Sequence, residues 1–347
     1  MSTFDETKAD FEEEDEEFIE NLQIKVDPGQ SFMRLDKYLS HHLKNISRNR
    51  IQNAIDSESV KVNGASVKSS YKVKPQDDIL LSLVKSGKIP KEVIPEDLPL
   101  DIVYEDDDVL LVNKAQEMVV HPGHGNHSGT LVNALVYHFG NLPSARDGEI
   151  RPGLVHRIDK GTSGLLVIAK NEFALQFLAR QFADHTTERT YYALIWGEPK
   201  EHKGTINAHI GRGFKDRRVS DVFPEGDYGK EAITHYEILK TMRYVSLIKC
   251  NLETGRTHQI RAHMKYLGHP LFNDAAYGGD RILRGEIFSK YKQFVENCFS
   301  LMPRQALHAK SLGFIHPTTR KWMQFDSELP ADFQAVLDKW EHYLQYR

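Results

Sequence analysis

Apolar positions fall into different rhythms along the chain. Leu35, Tyr38, Leu39 and His42 recur at three- and four-residue steps and predict a helix over residues 34–44. Ser47 stands where a cap is needed for a second helix, on which Ile51, Ala54 and Ile55 share a face. Val60-Lys61-Val62 alternates, Asn63-Gly64 supplies a tight turn and Val67 resumes beyond it, the signature of a hairpin. Residues 23–27 and 79–84 read as flanking strands. Together these predict a small α/β-hairpin domain over residues 21–85. Arg34, Lys37, Arg48, Arg50, Lys61 and Lys68 are scattered through it, as in a small RNA-binding unit.

Pro90, Pro95 and Pro99, with Gly87 and mixed charges, mark residues 86–99 as a linker. Beyond it the rhythm changes. Residues 109–112, 165–169, 191–196 and 244–252 are strand-like, while 130–139 and 172–182 carry helical spacing, the latter with Leu175, Leu178 and Phe182 on one face. Strands outnumber helices and do not alternate regularly with them, so residues 100–347 are expected to form an α+β domain rather than a doubly wound sheet.

The 347 residues, 40% apolar and 27% charged, are enough for a substantial core in two or three domains. No run of 18 apolar residues and no basic-then-apolar start is present, so neither a membrane span nor an export signal is expected, and the expected location is the cytoplasm. Cys250 and Cys298 offer neither a disulfide framework nor a zinc knuckle. The net charge of −4 conceals an asymmetry. Residues 1–20 hold ten acids and one lysine, −9, which leaves +5 for the rest of the chain. The acidic block from Glu12 to Glu17 reads as a solvated, disordered tail.

The most informative stretch is Arg151-Pro152-Gly153-Leu154-Val155-His156-Arg157-Ile158-Asp159-Lys160-Gly161-Thr162-Ser163-Gly164. It sets one carboxylate, Asp159, between Arg157 and a loop of small residues that feeds a buried-strand pattern. A carboxylate beside cations stays ionised at neutral pH, which suits a nucleophile or base and, on these residues alone, equally a surface ion pair. The stretch resembles the central motif of the RluA-type pseudouridine synthases, His-Arg-Leu-Asp-x-x-Thr-Ser-Gly, with Ile158 in place of Leu. Asn113-Lys114 with His121-Pro122-Gly123, Arg189-Thr190-Tyr191, the run from Gly255 to His263, Asn273-Asp274, Tyr277-Gly278, Leu307-His308-Ala309 and His316-Pro317 resemble further motifs of that family in the same order. Ala115 and Glu117 depart from its usual Pro and Gly, and Asn273 from a customary Gly.

The resemblance implies the mostly antiparallel mixed sheet of that family and isomerisation of uridine to pseudouridine within RNA. It casts Asp159 as the catalytic carboxylate, Arg261 as the guanidinium that holds it, and Tyr191 as the group that packs on the detached uracil and acts in removing a proton. Arg157 would fill the gap left by the extruded base, with His156, Thr162, Arg256 and His258 as further RNA contacts. Residues 34–39, 47–48 and 60–64 resemble the S-four-type module, in which Arg34, Arg48 and Lys61 would hold phosphates. Such a pairing resembles the bacterial enzymes that act on large-subunit (23S) ribosomal RNA, with transfer RNA the alternative substrate and a non-catalytic RNA-binding factor the rival reading. The expected partner is structured RNA, met by a monomer without a cofactor or metal. His121, His124 and His127 lack the neighbouring carboxylate or thiol of a metal site. Gly255-Arg256-Thr257 taken alone could also pass for a phosphate-holding loop.

Overall fold

The computed structural model describes residues 19–44, 46–84, 93–122, 126–140, 153–286 and 288–345. Most of the expected acidic tail therefore lies outside the described residues, as does His124. Ile19 and Glu20, assigned to that tail from sequence, instead open the first strand, β1 (Ile19–Lys25). Ile19 is buried and pairs with Val84, so the strand starts four residues earlier than the alternation predicts.

The N-terminal unit continues through β2 (Met33–Arg34), α1 (Leu35–His42), α2 (Arg48–Asp56), β3 (Val60–Val62), β4 (Ala65–Ser66), β5 (Lys72–Val73) and β6 (Asp78–Val84). Its main sheet runs β1-β6-β3-β4. Ser47 caps α2 as expected, accepting from the Arg50 amide, and Leu35, Leu39, Ile51, Ala54 and Ile55 close the core beneath the two helices.

The larger unit comprises β7 (Ile102–Glu105), β8 (Val109–Lys114), α3 (Leu131–Phe139), β9 (Ser163–Ala169), α4 (Glu172–Ala183), β10 (Glu188–Trp196), β11 (Lys203–Arg212), β12 (Ser220–Phe223), β13 (Lys230–Met242), β14 (Val245–Leu252), α5 (Gln259–Tyr266), α6 (Ser289–Leu301), β15 (Leu307–Ile315), β16 (Trp322–Asp326) and α7 (Ala331–Gln345). Its sheet runs β12-β11-β13-β14-β10-β15-β9-β8-β7, with β16 branching from β15. The pairing of β9 with β15 is parallel and the other strand pairs are antiparallel. This is the α+β architecture with a mostly antiparallel mixed sheet. All seven residues of β9 are buried, because helices cover both faces there: α3 and α5 contribute to one cluster, α4 to the other. A third cluster gathers Trp196, Phe272, Tyr291 and Trp340 under α6 and α7.

Helix α4 is where the two units meet. The Gln176 side chain accepts from the Val84 amide (3.3 Å) and donates to the Ser82 carbonyl (2.7 Å), Arg180 donates to the Ser57 carbonyl (3.1 Å), and Asn53 donates to Glu172 (3.0 Å). Ile19 and Val84 join the apolar cluster beneath that helix. The Pro-containing segment read as a linker is not a free tether in its described part. Val93 is buried in the core of the larger unit, Asn133 of α3 donates to the Ile94 carbonyl (2.8 Å), and Glu96 accepts from the Gly129 amide (3.1 Å). Among the described residues no helix is long and apolar enough to cross a membrane.

Gly164 fixes the close approach of β9 to β15. Its φ is +117°, and a Cβ there would collide with the Ala309 carbonyl. Gly164→Ala should therefore destabilise the protein by about 2–4 kcal/mol, read as a fall in the thermal midpoint. A midpoint within a degree of wild type would show that the two strands tolerate separation.

Candidate active site

Asp159 sits on the loop that precedes β9, inside a turn closed by the Thr162 amide donating to the Asp159 carbonyl (3.0 Å). Three buried side chains hold that loop from below. The Lys114 ammonium donates to the carbonyls of Ala115 (2.7 Å), Met118 (2.7 Å) and Lys160 (3.1 Å). Arg304 donates to the Gly161 carbonyl (3.0 Å) while its other edge grips Asp332 (2.7 and 2.9 Å). Gln305 donates to the Thr162 hydroxyl (3.2 Å).

From the opposite side comes Arg261, on α5. Its Nη1 donates to Asp159 Oδ2 (2.9 Å), while Nε and Nη2 make a two-point pair with Asp274 (2.7 and 2.9 Å). Its guanidinium lies 4.9 Å from the ring centre of Tyr277. The Tyr277 hydroxyl accepts from the Ser220 amide (2.9 Å) and lies 3.1 Å from His258 Nδ1. His258 itself has a left-handed backbone at the start of α5 (φ +57°), and its Nε2 is 3.9 Å from Asp159 Oδ2. The Arg261 side chain is 8% exposed and that of Asp159 is 20% exposed, so the carboxylate is the part of the pair that solutes can reach.

The electrostatics follow from this packing. Burial pushes the Asp159 carboxyl up, but His258, Arg261 and Arg157, with the Arg261 hydrogen bond, hold it below the ordinary carboxylate range. Burial pulls Arg261 down, and Asp274 with Asp159 more than reverses it, so the guanidinium stays charged. Burial lowers His258 below the ordinary histidine range, with Asp159 opposing the shift and Arg261 reinforcing it. Tyr191, on β10, is buried and its phenol is pushed up by that burial, with Arg189 opposing and Asp159 reinforcing the shift.

The structure thus brings together Asp159, Arg261 and His258, with Tyr191 within their electrostatic reach. Arg157 is exposed on the same loop, and Arg256 is half-buried with its Nε donating to the Glu231 carbonyl (3.0 Å). Two expectations are corrected. His156, expected among RNA contacts, is buried: its ring stacks on Phe182 (4.4 Å between centroids) and its Nε2 accepts from the Val167 amide (3.0 Å). Burial accordingly pushes its pKa down to about 3. Thr162, also expected to touch RNA, is buried and its hydroxyl accepts from Gln305. In the N-terminal unit Arg34 pairs with Asp36 through Nε (3.0 Å) and Nη2 (2.9 Å), and Arg48 reaches the same carboxylate at 3.7 Å. Lys61 lies on β3, between β4 and β6, and is not part of that cluster. Asp274, Tyr277, Lys114 and Arg304 surround Asp159 and Arg261 but were assigned no role by sequence reasoning; Lys114, Asp274 and Tyr277 stood inside matched motifs, which was the available signal.

Among known proteins, the family described as RNA pseudouridylate synthase matches residues 108–266, and the S4 domain matches residues 33–79. A Chlorobaculum parvum protein named as an uncharacterized RNA pseudouridine synthase is 47% identical over 320 residues, 92% of this chain and 97% of that protein. Ribosomal large subunit pseudouridine synthase D of Zymomonas mobilis is 42% identical, covering 87% of this chain and 92% of its own length. The solved structure of human RNA pseudouridylate synthase domain containing 1 is 26% identical with a TM-score of 0.50, covering 73% of this chain and 97% of that one.

Removing the guanidinium leaves burial unopposed by its largest hydrogen-bonding partner. Arg261→Met should raise the Asp159 carboxyl by about one unit or more, measured by carbon NMR titration of labelled aspartate. In wild type the ionised Asp159 stabilises the fold above the ordinary carboxylate value, and this contribution is lost as pH falls through its lowered pKa. An Asp159 titration unchanged in the variant would mean that Arg261 does not set its charge.

Proposed function

The chain belongs to the RNA pseudouridylate synthase family, enzymes that isomerise uridine in RNA to pseudouridine, and from that premise we propose that Asp159 is its catalytic carboxylate and large-subunit ribosomal RNA its substrate. The observation that carries the first part is a carboxylate one-fifth open to solvent, held ionised by a guanidinium whose other edge is already committed to Asp274. Such a group needs no proton removed before it acts.

The reaction breaks the bond from uracil N1 to ribose C1′ and forms one from C5 to C1′. Asp159 either adds to C1′ or takes the proton from C2′; in both routes the uracil leaves with the electron pair on N1. After rotation C5 bonds to C1′, displacing the Asp159 carboxylate in the first route and with the proton returned from Asp159 to C2′ in the second; the C5 proton then departs and N1 ends protonated, so no atom is gained or lost. Tyr191, a neutral buried phenol, packs against the detached ring and relays the proton leaving C5. Lys114, Arg304 and Gln305 hold the Asp159 loop still while Arg261 keeps Oδ2 engaged, so Oδ1 is the oxygen presented to the sugar. No redox step, phosphoryl transfer or outside nucleophile enters this balance.

The target base must first leave its stack, at a cost of a few kcal/mol. Arg157, exposed and two residues from Asp159, takes the vacated place: a planar, permanently charged group can stack and hydrogen-bond at once. Arg34, Arg48, Lys61 and Arg256 supply phosphate contacts that add affinity without reading sequence. The similarity to the Zymomonas enzyme favours ribosomal over transfer RNA as substrate. On this reading the enzyme works as a monomer in the cytoplasm.

Asp159→Asn should lower turnover by at least ~10³-fold while RNA affinity stays within a few-fold, measured by tritium release from C5-labelled uridine in transcribed ribosomal RNA. Residual turnover near wild type would remove Asp159 from the chemistry. Arg157→Ala should weaken binding about tenfold on paired RNA and less on single strands; equal losses on both would count against a wedge. Mapping pseudouridine in total RNA with and without the gene tests the substrate, and a loss confined to transfer RNA would reassign it.

A further inference from the structure

Arg189 is a buried cation that the chemistry above does not use. It precedes Tyr191 by two residues on β10, and the alternation of exposure that begins at Thr187, just before the strand, puts Thr187, Arg189 and Tyr191 on one face, spaced roughly 7 Å per pair of residues. The residue is 8% exposed. Among the described residues no carboxylate lies within ion-pair distance of it. Its Nη2 donates to the Glu253 carbonyl (2.8 Å), its guanidinium lies 5.6 Å from the Phe182 ring centre, and its buried Nε–H has no acceptor among the described residues. The Glu253 carboxylate is turned away, 2.6 Å from His235.

The neighbours deepen the anomaly. Thr187, on the same face, has a buried hydroxyl without a hydrogen-bond partner among the described residues. Arg256 adds a second positive charge, which together with burial lowers the Arg189 guanidinium's pKa. Gly255 leaves Nη1 uncovered: a Cβ there would stand 2.6 Å from it. A buried guanidinium without a carboxylate, facing another cation and an idle hydroxyl, is costly to the fold unless an anion completes it. Guanidinium forks and hydroxyls together suit a phosphate.

We propose that Arg189, Thr187, Arg256 and the opening left by Gly255 form a seat for one backbone phosphate of the RNA strand, a step along from the nucleotide at Asp159 and Tyr191. This rests on the function proposed above and adds to it the point at which the strand is gripped beside the reacting base. The Gly255-Arg256-Thr257 loop, ambiguous as a motif, becomes one wall of that seat.

The test uses the full chain and transcribed large-subunit ribosomal RNA, with binding measured across a salt series. Each phosphate contact contributes roughly 0.7 to the slope of log affinity against log salt on a single strand. Arg189→Gln should lower the slope by about that amount. Gly255→Ala, which keeps every charge but fills the opening, should lower it similarly. Arg189→Gln should melt no lower than wild type without RNA, because it removes an unpaired buried charge. An unchanged slope in Arg189→Gln, a reduced slope in Arg189→Gln with a wild-type slope in Gly255→Ala, or a lower melting point with wild-type binding would overturn the seat. Pseudouridine formation by wild type is assayed in parallel. Its absence, with the slope effects intact, would count against the proposed reaction and leave the seat standing, whereas normal turnover with unchanged slopes would do the reverse.

Discussion

One guanidinium shared between two carboxylates organises the catalytic unit. Arg261 gives its Nε–Nη2 edge to Asp274 and Nη1 to Asp159, and lies against the Tyr277 ring. The guanidinium and its two carboxylates sum to −1, so the arrangement favours a cation or a developing positive centre over an anion at the exposed Asp159. A ribose carbon losing its base develops positive character of that kind. Lysine could not replace Arg261, because a single ammonium has no fork with which to hold one carboxylate by an edge and another by a tip. Two distant parts of the chain meet in the bond: Asp159 lies before β9, and Arg261 lies 102 residues later.

That bond orients Asp159 only if the loop carrying it is held from the other side. Lys114 and Arg304 do this with buried basic side chains turned toward backbone carbonyls rather than toward the Asp159 carboxylate. Lys114 and Arg304 are 2% and 4% exposed, and burial pulls Lys114 down to about 7 against the pull of Asp159. Charged hydrogen bonds to carbonyls are stronger than neutral ones, so the loop is anchored without a second cation competing for Asp159. The close approach at Gly164 passes the same constraint into β15.

Much of the fold was legible where periodicity and turn chemistry agree: the capped α2, the Asn63-Gly64 hairpin, the apolar run of β9 and the amphipathic α4. The rest was hidden for identifiable reasons. Helix α5 begins at a left-handed His258 with no capping side chain, and six of its eight residues are buried, so it lacks both a start signal and a polar face. Strands β11 and β13 mix Lys, Thr, His and Glu with short apolar alternation, because they lie toward one end of the sheet. At the site, the motifs pointed to Asp159 and Arg261, which the structure pairs at 2.9 Å, and to Tyr191 within their electrostatic reach. It erred at His156 and Thr162 because adjacency in sequence says nothing about direction: those side chains turn into the fold on either side of an exposed Arg157. Asp274 and Arg304 act through contacts 13 and 143 residues away in sequence, which no local pattern encodes.

The contrast between two buried arginines carries the last step. Arg261 and Arg189 are almost equally inaccessible, yet the first has a carboxylate on each side and the second, among the described residues, has none. Burial costs both the same kind of desolvation. For Arg261 the protein supplies the compensating charge itself, so the pair is complete before any ligand arrives and its task is to orient. Among the described residues, a carbonyl and an aromatic ring offset the charge of Arg189, and an idle hydroxyl beside it adds to the imbalance. A chain that already uses Asp274 to complete one guanidinium has the means to complete another. Leaving Arg189 without one is consistent with a counter-ion that comes from the substrate, which makes part of the folding cost recoverable only when RNA is bound.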